Sequence, residues 1–175
     1  MSKVIAIATN LVLDSELFSP KRALEKAGNQ VDIAEEKPNK VMTSMQITGK
    51  PGKQFKSTKS IDDVKLNDYD ALFIPGGFSP DQLRIDDRYV NLVKQFILSN
   101  KPIFAICHGP QMFIQSGLAN RLIVTAWQSV RNDLYYAGAT VKNAPLVIDH
   151  KHNIITSRYP GDLKYFNKAA VNALK

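Results

Sequence analysis

Hydrophobic runs that suit buried strands alternate along the chain with amphipathic segments that suit helices. The first pair sets the pattern: Val4–Thr9 is strand-like, and Asp14–Ala27 places Leu17 and Leu24 on one face of a helix that Gly28 stops. The further predicted strands are Val31–Glu35, Ala71–Pro75, Pro102–Cys107, Leu122–Ala126, Thr140–Lys142, Leu146–Asp149 and Ile154–Ser157. The further predicted helices are Arg88–Ser99, Pro110–Ser116, Val130–Ala137 and Pro160–Leu174.

This alternation predicts the fold class. Strands separated by helices form a mostly parallel sheet with both faces covered, so we expect an α/β, flavodoxin-like, doubly wound sheet in a three-layer α/β/α sandwich. One segment departs from the pattern: Met45–Thr48 and Gln54–Thr58 are short alternating pieces around a Gly-Lys-Pro-Gly turn, which predicts a small β-hairpin excursion. Because the chain contains no repeat or interdomain linker, residues 1–175 are predicted to be a single domain.

Composition narrows the cellular setting and the classes of partner. The chain has a net charge of +7 and a single cysteine. A single cysteine allows no internal disulfide, so we expect a cytoplasmic location, and no apolar run reaches the length of a membrane span. Many of the lysines lie in the polar segment 37–65, which contains no arginine and one phenylalanine. We therefore expect a solvated surface there rather than a nucleic-acid interface.

The sequence contains no cofactor-binding motif. His108, His150 and His152 lack the spacing to carboxylates that a metal site requires. The Pro-Gly-Gly-Phe segment at residues 75–78 is too short for a phosphate-binding loop. We therefore expect neither a metal ion nor an organic cofactor.

The chemistry centres on Cys107, the only cysteine of the chain. An apolar strand-like run ends at this thiol, and a segment that can start a helix follows it, with the small residues Ala105 and Gly109 two positions to either side. This pattern is typical of a nucleophile elbow, whose tight strand-to-helix turn excludes bulky neighbours. The adjacent helix N-terminus favours thiolate and predicts a lowered pKa for the thiol. The alternative is an inert cysteine that fills the core.

Two other strand ends carry residues suited to the same reaction. Asp14 and Glu16 follow the first strand, and Gly76 and Gly77 follow the strand that ends at Pro75. The carboxyl ends of parallel strands meet at one edge of the sheet, so we expect a carboxylate, a group of backbone amides and the thiol of Cys107 to converge there. Backbone amides in such a loop can stabilise a developing oxyanion.

Four segments together carry a family resemblance: residues 14–16, residues 74–81 with Pro-Gly-Gly, residues 105–111 with Cys-His-Gly-Pro, and residues 156–160. With these motifs in this order, the sequence resembles the PfpI-type intracellular protease family, within the superfamily that includes the parkinsonism-associated protein deglycase. The resemblance covers nearly the whole chain. It implies the flavodoxin-like fold already expected and a homodimer or higher homo-oligomer.

The resemblance also implies catalytic roles. Cys107 would be the nucleophile, and Glu16 would be a protonated acid that donates a hydrogen bond to the sulfur. His108 would be the general base, oriented by an acid from a neighbouring subunit at the position of Asp81, where better-known relatives carry the longer glutamate. The alternatives are a first-turn helix acid for Glu16, a surface or interface residue for His108, and a first-turn helix acid for Asp81.

The remaining implied roles concern the pocket. Gly76, Gly77 and the backbone amide of His108 would form the oxyanion hole, although the glycines could equally serve a tight turn. Trp127 would be a pocket wall or a core residue, and Arg158 would bind an anionic group or form a structural salt bridge.

Two positions depart from the family pattern. Leu13 stands where relatives often carry a second acid, and Pro51 stands where many carry a histidine. The first change removes a group that could transfer a proton, and the second removes a histidine near the rim of the site.

Several functions fit these residues. A cysteine-dependent enzyme could act on a peptide carbonyl, as a peptidase or amidase, or on methylglyoxal and its protein adducts, as a glyoxalase or deglycase. The alternative is a stress-protective redox sensor or chaperone that uses oxidation of Cys107. A third interpretation is a binding module built on an inactive enzyme.

Overall fold

The computed structural model describes all 175 residues. The strands are β1 Lys3–Ile7, β2 Gln30–Glu35, β3 Val41–Met45, β4 Pro51–Lys56, β5 Lys59–Ser60, β6 Ala71–Ile74, β7 Ile103–Ile106, β8 Ile123–Val124, β9 Thr140–Val141, β10 Val147–Asp149 and β11 Ile154–Ser157. The helices are α1 Asp14–Lys26, α2 Ser79–Leu83, α3 Asp87–Ser99, α4 Gln111–Gln115, α5 Gln128–Tyr136 and α6 Leu163–Asn172.

Seven strands form the central sheet, in the order β10-β11-β7-β6-β1-β2-β5. Every neighbouring pair is parallel except the edge pair β10–β11, which is antiparallel. The inner strands β6 and β7 are buried along their whole length, as expected for continuous apolar runs in a sheet that is covered on both faces. The predicted flavodoxin-like parallel sheet is therefore confirmed.

Two hydrophobic cores lie on opposite faces of the sheet. One contains 27 buried residues, including the apolar sides of α3, α4 and α5. The other contains 18 buried residues and includes the apolar sides of α1 and α6 together with Met42 and Phe55 from the β3–β4 hairpin. Burying a large apolar side chain such as Phe55 contributes roughly 1.5–3 kcal/mol. The two cores give the predicted three layers.

The predicted hairpin is present, but its strands are displaced towards the N-terminus: β3 ends at Met45, where the first predicted segment begins, and β4 shares only residues 54–56 with the second. β3 pairs antiparallel with β4, Val41 opposite Lys56 and Thr43 opposite Gln54, with an irregularity between Thr43 and Met45. The placement of its strands at Met45–Thr48 and Gln54–Thr58 was wrong because Met42 and Phe55 bury against the core and thereby set the register.

Four short elements also differ from the sequence-based prediction. β8 and β9 pair with each other in a separate two-stranded sheet and do not join the central sheet. Neither β5, with two residues, nor α2, with five, was predicted, because each is too short for hydrophobic periodicity to appear. None of the helices combines the length and apolar composition needed to cross a membrane.

Candidate active site

Cys107 lies in a sharp turn between β7 and α4. Its φ is +61°, in the left-handed region that non-glycine residues seldom adopt. Two backbone hydrogen bonds hold the turn: the Cys107 N–H donates to the Ser157 carbonyl oxygen at 3.0 Å, and the Trp127 N–H donates to the Cys107 carbonyl oxygen at 2.9 Å. Cys107 is thus tied to the last residue of β11 and to the loop that follows β8.

Gly109 confirms the steric argument for an elbow. A Cβ at this position would overlap the carbonyl oxygen of Ile74 and lie 3.0 Å from the carbonyl oxygen of Ile106. Only glycine lets the turn pass this close to the ends of β6 and β7.

Glu16 lies in the first turn of α1, and its side chain is fully buried. Gly76 separates this side chain from the elbow, since a Cβ added there would overlap Glu16 Oε2 and lie 2.8 Å from the Cβ of Cys107. Neither carboxyl oxygen has a hydrogen-bond partner of good geometry. Glu16 is thus a first-turn helix acid by position, but its side chain points into the interior beside Cys107 and not to the solvent.

Burial controls the protonation of Glu16. It raises the pKa of the carboxyl to about 8, and hydrogen bonding with the Cys107 thiol and the Gly76 amide offsets only part of this effect. A pKa of about 8 means that the carboxyl carries its proton at neutral pH. The protonated state that the family resemblance implies for Glu16 thus has a physical cause in this chain.

Two effects raise the pKa of the Cys107 thiol: burial, which is the larger, and the negative charge of Glu16. This direction is opposite to the predicted lowering. The side chain of Cys107 is only 6% exposed, so the thiolate would be poorly solvated. The helix α4 begins four residues later, at Gln111, and has only five residues, so its dipole is weak at the sulfur. Desolvation therefore outweighs the helix dipole. The repulsion acts only while Glu16 is ionised. A protonated carboxyl would instead stabilise the thiolate by donating a hydrogen bond.

Backbone amides surround the sulfur. The amides of His108 and Gly77 interact with the Cys107 sulfur and favour its thiolate form, whereas the Gly76 amide interacts with the Glu16 carboxyl. Gly77 has a φ of +72°, and a Cβ there would overlap backbone atoms of Leu11 and Leu13. The glycines therefore serve a tight turn and close packing. The oxyanion hole remains a prediction. The amides of Gly77 and His108 suit that role better than the Gly76 amide, because they face the sulfur, whereas the Gly76 amide faces Glu16.

His108 is half-buried beside Phe78, with 6.1 Å between the ring centroids. Burial lowers the pKa of the imidazole, and the charge of Asp81 partly offsets this shift. Asp81 is exposed on α2, and the hydrogen bonds of the chain include none between its carboxylate and the imidazole. Within one chain Asp81 thus influences His108 only through its charge. Its role across a subunit interface, and the homo-oligomer which that role requires, stay predictions.

The thiol opens into a small apolar pocket. Its volume is about 260 Å³, and its lining residues are Leu13, Met45, Ile47, Gly77, Phe78, Cys107, His108, Trp127, Tyr159 and Pro160. Trp127 is 40% exposed, and its ring lies 6.4 Å from that of Tyr159. The structure thus places Trp127 in the pocket wall and not in the core.

Sequence reasoning missed several of these wall residues. Phe78 directly follows the Gly-Gly pair, and Tyr159 lies within the segment 156–160, so their places next to recognised motifs were available signals. Met45 and Ile47 come from the β3–β4 hairpin. The prediction from hydrophobic alternation gave this hairpin the wrong register.

Arg158 is held by a salt bridge. Its Nε donates to Asp162 Oδ2 at 2.9 Å, and a terminal nitrogen donates to Asp162 Oδ1 at 3.0 Å. The other terminal nitrogen donates to Asn143 Oδ1 at 3.0 Å. Asp162 is buried, so this bidentate pair corresponds to the structural alternative for Arg158.

The two departures from the family pattern have defined places. Leu13 is buried in the pocket wall, where a carboxylate would lie in apolar surroundings. Pro51 begins β4.

No group of three or more His, Cys, Asp or Glu side chains is arranged to hold a metal ion.

Comparison with known sequences identifies relatives along the whole chain. A model of the DJ-1/PfpI family matches residues 2–173. The Bacillus subtilis (strain 168) protein named "Putative cysteine protease YraA" is 46% identical over 176 residues, covering 100% of both chains. "General stress protein 18" of the same organism is 39% identical, covering 99% of this chain and 98% of that protein.

Solved structures share the fold. The two-domain protein from Anabaena variabilis with DJ-1/ThiJ/PfpI-like and ferritin-like domains has a TM-score of 0.90 and 30% identity. That match covers 99% of this chain and 48% of the Anabaena chain, so this chain spans about half of its length. Schizosaccharomyces pombe DJ-1 has a TM-score of 0.83 at 24% identity, covering 99% of this chain and 92% of that one. On the match of the family model and the identity to these relatives, the chain belongs to the DJ-1/PfpI family.

Proposed function

We propose that this protein is a cysteine-dependent enzyme that converts small 2-oxoaldehydes such as methylglyoxal into 2-hydroxy acids without glutathione or a metal. One observation carries the proposal: the fully buried Glu16 carboxyl lies beside the only thiol, Cys107, which lines a small apolar pocket. A proton-carrying acid next to a nucleophile suits a reaction that moves protons between adjacent carbon and oxygen atoms.

The reaction begins with addition of the thiol to the aldehyde carbon. His108 accepts the thiol proton and returns it to the aldehyde oxygen, which leaves a hemithioacetal. The lowered pKa of His108 supports this role, because a neutral imidazole can accept a proton at pH 7. The amides of Gly77 and His108 stabilise the negative charge that develops on the oxygen.

Proton transfer then converts the hemithioacetal into a thioester. Glu16 donates its proton to the ketone oxygen while His108 removes the hydrogen from the carbon bonded to sulfur, which gives an enediol. The enediol gains a proton at the former ketone carbon and loses one from the hydroxyl next to sulfur. Water hydrolyses the resulting thioester, so that one oxoaldehyde and one water yield one 2-hydroxy acid and the free thiol.

The volume of the pocket favours a small aldehyde over a peptide. About 260 Å³ is below the range of roughly 300–1,000 Å³ usual for sites that hold drug-sized ligands. Since a water molecule occupies about 30 Å³ in the liquid, the pocket holds roughly nine non-hydrogen atoms, enough for a small aldehyde but not for the several residues of a peptide substrate.

The test is lactate formation from methylglyoxal without glutathione. We expect activity in the wild type and its loss in Cys107→Ser and Glu16→Gln. Glu25→Gln, which removes an exposed carboxylate from the same helix, is the matched control and should retain activity. Lactate production by Cys107→Ser at the wild-type rate would refute the proposal.

A second candidate function, redox sensing, is supported by the same carboxyl. Peroxide would oxidise the thiolate to sulfenate with release of water, and a second peroxide would give the sulfinate. A protonated Glu16 could donate a hydrogen bond to that sulfinate. Intact-mass analysis after mild peroxide treatment tests this function, which requires a stoichiometric two-oxygen adduct that Cys107→Ser lacks.

A further inference from the structure

A second cavity opens beside the cysteine pocket and shares two of its walls. Its volume is about 210 Å³, and its lining residues are Trp127, Gln128, Arg131, Asn143, Arg158 and Tyr159. Trp127 and Tyr159 also line the pocket of Cys107. A ligand that lies across this aromatic pair would therefore reach from the thiol into a region lined by two guanidinium groups.

Only one of the two guanidinium charges is neutralised. Arg158 is paired with Asp162, whereas the ion pairs of the chain include none for Arg131. One terminal nitrogen of Arg131 donates to the Ala126 carbonyl oxygen at 2.9 Å, which leaves most of its N–H groups available. No acidic side chain lines the cavity, so the charge of Arg131 has no counterion there.

Hydrogen bonds tie Arg131 to the segment that carries the nucleophile. Its guanidinium bonds to Ala126, and its backbone N–H donates to the Trp127 carbonyl oxygen at 2.9 Å. The Trp127 N–H in turn donates to the Cys107 carbonyl oxygen. The position of the cation relative to the thiol is thus fixed by a short chain of backbone contacts.

We propose that this cavity is a subsite for the carboxylate or phosphate group of an anionic carbonyl substrate, with Arg131 as the residue that determines specificity for charge. The inference rests on the proposed function, because the carbonyl group must reach Cys107. A planar guanidinium presents paired N–H donors that match carboxylate and phosphate oxygens. Asn143 and Gln128 supply further polar contacts at the same cavity.

Ligand binding to the Cys107→Ser protein tests the subsite without turnover. Trp127 is the only tryptophan and borders both cavities, so its fluorescence reports binding. Two ligand pairs are titrated, each differing in one anionic group: glyceraldehyde 3-phosphate against glyceraldehyde, and succinic semialdehyde against butanal. We expect the anion to bind more tightly by roughly tenfold or more in at least one pair, as for a hydrogen bond to a charged group. The tighter pair distinguishes phosphate from carboxylate.

Variants at Arg131 assign this preference to its charge. Arg131→Gln should abolish the difference within each pair, and Arg131→Lys should retain part of it. Arg22→Gln removes an exposed cation from α1 that lines neither cavity and should leave the preference unchanged. Equal affinity for charged and uncharged ligands, or a preference that survives Arg131→Gln, would overturn the subsite.

The outcomes also separate the subsite from the proposed reaction. A preference for anions in Cys107→Ser, with no turnover of oxoaldehydes by the wild type, would support the subsite and refute the reaction. Turnover of methylglyoxal by the wild type without any preference for anions would support the reaction and overturn the subsite.

Discussion

The buried carboxyl of Glu16 should make the stability of this protein fall as the pH rises through neutrality. Burial raises its pKa from the ordinary value of 4.5 to about 8, so the folded state holds the proton over a range in which the unfolded chain releases it. The stability is fully present below pH 4.5 and declines until about pH 8. At about 1.4 kcal/mol for each unit of pKa, the full effect is of the order of 5 kcal/mol.

Urea unfolding from pH 5 to pH 9 measures this effect by comparing the wild type with Glu16→Gln. The glutamine cannot ionise, so the free energy of unfolding of the variant should rise relative to the wild type by roughly 3–4 kcal/mol between pH 5 and pH 8. Titrating groups that do not interact with Glu16 cancel in the difference, whereas Cys107, which is coupled to Glu16, begins to ionise in the unfolded chain only near about pH 8.5. Glu25→Gln, on the exposed side of the same helix, should show no such trend. Parallel pH profiles for the wild type and Glu16→Gln would refute the reasoning.

Two further predictions concern the elbow. Alkylation of Cys107 by iodoacetamide should titrate above the unperturbed thiol pKa of about 8.5 and move to lower pH in Glu16→Gln, since the Glu16 charge raises the pKa of Cys107; identical profiles would contradict this coupling. Gly76→Ala should abolish lactate formation and lower the free energy of unfolding by about 1–3 kcal/mol, because its Cβ would overlap Glu16 and crowd Cys107. Gly28→Ala meets no atom within 4 Å but forces alanine to a φ of +87°, so it should lose about 1–2 kcal/mol of stability and stay active.

Local geometry explains why the elbow could be predicted from sequence. Gly109 follows Cys107 by two residues, so the glycine that the turn requires can be recognised from the local sequence alone. The parallel sheet could be predicted for a similar reason, since each strand carries its own apolar run. The tip of the β3–β4 hairpin could not be predicted in this way. The register of the hairpin depends on how Met42 and Phe55 are buried against elements that are distant in sequence.

The pKa of the Cys107 thiol depends on residues far apart in the chain. The helix that follows the thiol predicts a lowered pKa, but burial in the folded chain and the charge of Glu16, on α1 near the N-terminus, raise it. Arg131 was missed for the same reason. Nothing beside it in sequence indicates that Arg131 lines the same cavity as Trp127 and Arg158.

The left-handed backbone of Cys107, with its φ of +61°, sets stability against activity at this one position. An L-residue in that conformation costs about 1–2 kcal/mol relative to glycine, so Cys107→Gly would relieve strain while removing the thiol. The loss of a buried side chain and the greater freedom of glycine in the unfolded chain offset this gain. Folding stability therefore gives little reason to keep a thiol in this conformation, and a directed-evolution screen that scores melting temperature without activity would exert little pressure to retain Cys107.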